Sequence, residues 1–200
     1  DGGTTWKKII NGLPNEPINT VREDAVRKGL LFAGSENAVY VSFDAGEHWQ
    51  SLQLNMPSTS IRDLVIKDDD LVIGTHGRSF WILDNISSLR QLNPSTKNQV
   101  ALFKPQVATR IRWNMNTDTP LPPEEPAGEN PPDGAVIDYH LPANTTSAVT
   151  ISISDAKGNI IRSFSSTDSL YKIIIIMKSS PDLPAGFFYS FLLSVCYTTK

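Results

Sequence analysis

The stretch "DAGEHWQSL" (44–52) matches "DGGTTWKKI" (1–9) at Asp, Gly and Trp, with an offset of 43 residues. A second match, "LFAGSENAVYVSFD" (31–44) against "LVIGTHGRSFWILD" (71–84), has an offset of 40. There Leu, Gly and the closing Asp coincide, and apolar residues align between them. "INTVRED" (18–24) stands before one copy as "IRDLVIKD" (61–68) stands before the next.

A period of about 40 residues in β-type sequence is the length of a four-stranded propeller blade. In the middle copy the pattern predicts strand A over 18–22, B over 30–34, C over 38–43 and D from His48. In the next copy it predicts A over 61–67, B over 71–75 and C over 79–83. These runs are short, β-branched and bounded by Gly, Asp and Asn, which disfavours helix. They are apolar on both faces, as in sheets packed between sheets.

The eye is drawn to Asp44, Glu47 and His48 as an acid–base cluster, but the repeat assigns them to the turn between strands C and D. Asp accepts backbone N–H groups in tight turns, Gly46 supplies a positive φ, and Trp49 packs into the sheet. Glu47 and His48 stand where the first copy has Thr4 and Thr5, so the turn is expected not to depend on them. The third copy keeps Asp84 but continues as "DNISSL", without Gly or Trp.

Ser-x-Asp-x-Gly-x-x-Trp, carried by Ser42, Asp44, Gly46 and Trp49, and by Asp1, Gly3 and Trp6 in the first copy, resembles the Asp-box or BNR repeat of sialidases, sortilin-type receptors and related β-propellers. The longer matches resemble bacterial sortilin-like or glycosyl hydrolase-like proteins, over residues 1–113 and more weakly to 166. The resemblance implies an all-β chain: a partial Asp-box propeller of about two blades (1–113), a Pro-rich acidic linker (114–134) and an immunoglobulin-like β-sandwich (135–200). It also implies a secreted, periplasmic or envelope-associated bacterial protein whose remaining N-terminal blades are missing here. Two blades alone would expose sheet faces and edges, which predicts aggregation or a molten state.

In an antiparallel blade the B–C turns and D–A connections lie on the rim opposite the Asp-box. That rim carries Glu36, the turn Thr75–His76–Gly77–Arg78, and residues 54–60. Arg78 suits a bidentate grip on a carboxylate or phosphate, and His76 titrates near neutrality. Thr75, His76, Arg78 and Glu36 are therefore the candidate ligand-binding residues. Arg62 and Asp63 open an innermost strand and read as an ordinary ion pair. The expected ligand is a carbohydrate or a protein or peptide. The rival reading is a glycoside hydrolase, which needs two flanking carboxylates. No such pair is visible, Glu36 stands alone in the sequence, and the catalytic residues are unknown.

"KDDD" (67–70) reads as a solvated A–B turn, and His140 has no ligand partner at useful spacing, so no metal is implied. No Gly-rich phosphate loop follows a strand and no cofactor is implied. The 18 basic and 21 acidic residues form no basic stretch, which argues against nucleic acid. No run approaches the roughly 20 apolar residues of a membrane span. Cys196 is the single cysteine, which excludes a disulfide within the chain.

"TDTPLPPEEPAGENPPDG" (117–134) has six prolines, five acids and no Lys or Arg, the composition of an extended, solvated linker. Residues 99–113 read as a strand pair leaving the propeller. Val149, Ile151 and Ile153 alternate with polar residues, "DAKGN" (155–159) turns, and Ile160, Ile161 and Phe164 return. The tail 168–200 departs from the resemblance, and two further strands are expected within 170–178 and 187–198.

Overall fold

The computed structural model describes residues 1–93, 96, 99–108, 134–142 and 145–166, with the backbone of two strands at 175–176 and 189–193. The linker and most of the tail, including Cys196, lie outside the described residues. The regular structure of the described residues is mostly β, in small antiparallel sheets that do not close on themselves.

The first sheet is a meander of β1 (Ile18–Glu23), β2 (Leu31–Ser35), β3 (Val39–Ser42) and β4 (Gln50–Ser51). The second contains β5 (Ile61–Lys67), β6 (Asp70–Thr75) and β7 (Phe80–Leu83). The strand limits follow the repeat because Gly, Asp and Asn interrupt each β-branched run.

One face of the first sheet (Leu30, Phe32, Val39, Val41) packs on one face of the second (Ile61, Leu64, Leu71, Ile73) in a single buried cluster. At Gly34 the sheets come so near that a side chain would collide with Ile61. Both sheets carry a β-bulge at the same place, between Ile18 and Thr20 and between Ile61 and Asp63. Asn19 and Arg62 are thus equivalent bulge residues.

The gapless match of 31–44 to 71–84 slips by one residue after the turn. Val41 pairs with Phe32, whereas Ile82 pairs with Val72; Val39 pairs with Gly34, whereas Phe80 pairs with Gly74. The cause is the turn. Four residues, His76–Ser79, separate β6 and β7, with positive φ at Gly77 and Ser79, against three between β2 and β3. One extra residue moves every later side chain to the other face relative to the linear match.

The third copy departs further. In place of a fourth strand, "DNISSL" turns at Asn85 (φ 59°) into the short helix α1 (Ser87–Gln91). The helix returns to the β5–β6 turn and to the first sheet. Asn85 N–H donates to Asp70 Oδ1 at 2.9 Å. Arg90 pairs with Asp24 (2.8 and 2.9 Å) and with Asp69, and donates to the Asp68 carbonyl at 2.7 Å. "KDDD" is therefore only partly a solvated turn: Asp69 and Asp70 anchor the helix and its entry.

The second half holds the hairpin β10 (Thr150–Ser154) and β11 (Ile160–Ser165), closed by Asp155, whose carboxylate accepts the N–H groups of Lys157 and Asn159. A further sheet runs in the order β12 (Ile175–Ile176), β13 (Tyr189–Leu193), β9 (Ala135–His140) and β8 (Ala101–Leu102). β12 and β13 fall within the two tail segments expected to be strands. Tyr139, Leu141 and Ile137 pack against Val149, Ile151, Ile153 and Phe164, so the alternation of 149–154 buries one face. Of the strand pair expected over 99–113, β8 pairs with β9 and its neighbour Phe103 is buried in the first cluster, while residues 109–113 lie outside the described residues. Among the described residues no helix is long and apolar enough to cross a membrane.

Candidate functional site

The two box turns are built as staples. Asp1 accepts the N–H groups of Gly3 (3.0 Å), Thr4 (3.2 Å) and Thr5 (3.1 Å), and the Thr5 hydroxyl also donates to it. Asp44 accepts His48 N–H at 2.9 Å and the Ser42 hydroxyl at 2.9 Å, while Gly46 N–H donates to Ser42 Oγ at 2.9 Å. Gly46 (φ 88°) lies against Ile9, where a Cβ would crowd.

His48 is more than a bystander, contrary to the expectation from variation between copies. Its Nδ1 lies 2.7 Å from Asp44 Oδ2, just as the Thr5 hydroxyl meets Asp1. Residue type varies at this position while the role is kept, since each residue supplies a side-chain donor to the box carboxylate. Glu47 instead forms an exposed pair with Lys7. Trp49 is 6% exposed and its Nε1–H donates to the Ile9 carbonyl at 2.7 Å, whereas Trp6 is 90% exposed.

Burial pushes the Asp44 carboxyl up, but the His48 N–H, the His48 ring and the Ser42 hydroxyl outweigh it and hold it below the usual range. A carboxylate lowered on folding stabilises above its unfolded value near 3.9 and loses that contribution as pH falls through the folded value. Asp44→Asn is expected to cost about 1 kcal/mol or less at neutral pH, since the group is partly exposed. The gap between variant and wild type should close as urea unfolding is repeated from pH 5 down to pH 2. A gap independent of pH would show that the charge does not hold the turn.

At the opposite sheet ends, the two bulges direct Asn19 and Arg62 onto one group. Asn19 Nδ2 donates to Glu36 Oε1 at 2.9 Å and to the Ile61 carbonyl at 3.0 Å; Arg62 Nη1 donates to the same Glu36 oxygen at 3.4 Å. Bulges re-aim side chains, and here both copies use them for the same purpose. The Asn19 amide, with the Ser60 hydroxyl beside it, holds the Glu36 carboxyl below its usual range; burial opposes this, and the charges of Arg62 and His76 add to it. Glu36, isolated in the sequence, thus sits in a cluster with Asn19, Ser60, Arg62 and His76. The bulge register, which no motif marks, is what brings Asn19 and Arg62 there.

Thr75 closes its own turn: its hydroxyl donates to the Ser79 carbonyl at 2.6 Å and accepts Arg78 N–H at 3.1 Å. Its side chain is occupied structurally. His76 N–H donates to the Ser60 carbonyl at 2.9 Å, which ties the turn to the connection before β5 and leaves the ring exposed. Arg78 is exposed, and it is not among the charges that act on Glu36. Arg62 and Asp63 do not pair with each other; Asp63 accepts Arg22 Nη2 at 2.6 Å across β1 and β5.

The cluster holds one carboxylate, and that carboxylate is stabilised as an anion. A general acid for glycoside cleavage needs the opposite shift. Among the described residues no group of three or more His, Cys, Asp and Glu is placed to hold a metal ion. No family model, no curated protein and no solved structure matches this chain.

Proposed function

We propose that the two stacked sheets are repeat units of an Asp-box β-propeller and that the rim formed by Asn19, Glu36, Arg62, His76 and Arg78 binds a carbohydrate or peptide ligand. The observation that carries this reading is the pair of equivalent bulges, which converge an amide and a guanidinium on Glu36 beside an exposed imidazole. Such a set offers donors and a fixed anion to a ligand rich in hydroxyls or amides. The second half, with its sheet packed on a hairpin, serves as an immunoglobulin-like accessory module of a secreted or envelope-associated protein. Glu36 acts as an acceptor that orients ligand, since it is held ionised.

A glycan and peptide array tests the rim. Glu36→Gln and Arg78→Ala are each expected to weaken binding about tenfold, the scale of one lost charge-assisted hydrogen bond. His76→Ala should weaken it less. Binding that is unchanged in all three variants places the ligand elsewhere.

A further inference from the structure

The turn between β2 and β3 carries two neighbouring polar side chains that part to opposite sides. The buried Ser35 pins the turn, since its Oγ accepts the N–H groups of Asn37 (3.1 Å) and Ala38 (3.0 Å). Glu36 meets the Asn19 amide, with the Ser60 hydroxyl beside it. Asn37 turns the other way: its Nδ2 donates to Glu16 Oε2, and its Oδ1 accepts the Ser58 hydroxyl at 3.5 Å. Each side is thus an amide, a carboxylate and a serine. Residues 58–60 pass between the two sets and are tied to both adjoining turns. Thr59 N–H donates to the Asn37 carbonyl at 3.2 Å, and His76 N–H to the Ser60 carbonyl at 2.9 Å.

The two sets differ in charge. Glu36 has the Arg62 guanidinium at 3.4 Å and lies in the field of His76. Among the described residues no cation lies within ion-pair distance of Glu16. Its Oε1 is buried and receives no donor from them. Buried acceptors in proteins are nearly always paired, so this carboxylate is one donor short. The half-buried Tyr40 walls that side: its phenol is pushed up by burial first and by the Glu16 charge second.

We infer that the rim takes an extended peptide, which places a carboxamide side chain at Glu36 and a basic side chain, two residues along, at Glu16. Ser58 and Ser60 mark the two seats and are at most about 7 Å apart. Side chains i and i+2 of an extended chain share a face at that spacing. A carboxamide can donate to Glu36 and accept from Arg62 or His76 in the same pose. A Lys or Arg side chain brings the donor and the charge that Glu16 lacks. Asn37 is exposed, so a ligand that displaces its amide meets the Glu16 carboxylate directly. The inference rests on the rim being the binding face, and between carbohydrate and peptide it selects peptide.

The test uses the full chain and immobilised alanine-based peptides that carry one glutamine and one lysine, with none, one or two residues between them in either order. A matching set carries norleucine in place of lysine. Binding is expected to be about tenfold tighter with one residue between than with none, and about tenfold tighter with lysine than with norleucine. Glu16→Gln keeps the shape of the side chain; it should abolish the lysine preference and leave the norleucine peptides bound as before. Glu36→Gln should weaken both sets. A lysine preference that survives Glu16→Gln, an absence of any spacing preference, or a loss of both peptide sets alike in Glu16→Gln overturns the inference. So does binding of glycans without binding of peptides. In each of these cases a loss caused by Glu36→Gln still keeps the rim as the binding face, whereas binding indifferent to both substitutions overturns the rim as well.

Discussion

Asp24→Ala is expected to unfold the chain at a urea concentration more than 1 M below wild type. Asp24 is fully buried, and its carboxylate receives Arg27 N–H at 2.7 Å and two donors from Arg90. Arg90 is itself only 10% exposed. Removing one partner of a buried pair leaves the other desolvated and costs about 3–5 kcal/mol. Asp69 and the Asp68 carbonyl still hold Arg90, which places the cost near about 3 kcal/mol. With a slope of about 2 kcal/mol per M, that is a shift of about 1.5 M. Arg90→Met should be similarly severe, because it strips both guanidinium donors from a buried carboxylate and leaves it the Arg27 N–H. The double variant should cost much less than the sum. Additive costs would mean that the two side chains do not act as a unit.

This latch also shows where sequence and structure part. The strands are legible because apolar runs are punctuated by Gly, Asp and Asn at a fixed period. The box turns are legible because their hydrogen bonds are local, spanning two to four residues. What is not legible depends on partners far along the chain. Asp24 and Arg90 are 66 residues apart, and "DNISSL" reads only as a box without its Gly and Trp until Arg90 is seen to reach the first sheet. Glu36 reads as solitary because Asn19 and Arg62, at separations of 17 and 26 residues, come to it through bulges that no periodicity announces. The slip in β7 follows from a single added turn residue. His48 looks dispensable because its type varies, yet Thr5 and His48 both donate to the box carboxylate. Variation between copies tests identity, not role.

Gly34→Ala is expected to cost about 2 kcal/mol and Gly34→Val more, while Gly74→Ala at the equivalent position stays within about 0.5 kcal/mol of wild type. A Cβ at Gly34 would stand 2.5 Å from Ile61 Cγ2 and 2.9 Å from Thr20 Cγ2. Both neighbours are β-branched and stiff at χ1, and both sit in strands fixed by pairing, so relief requires the sheets to part. At Gly74 the nearest atoms are the Asp63 carbonyl oxygen at 3.6 Å and Phe80 Cε1 at 3.7 Å, ordinary contacts that a methyl group tolerates. Urea unfolding of both variants beside the unsubstituted chain, at one protein concentration, measures the two costs. Equal costs at the two glycines would mean that backbone preference, and not the approach of Ile61, keeps Gly34.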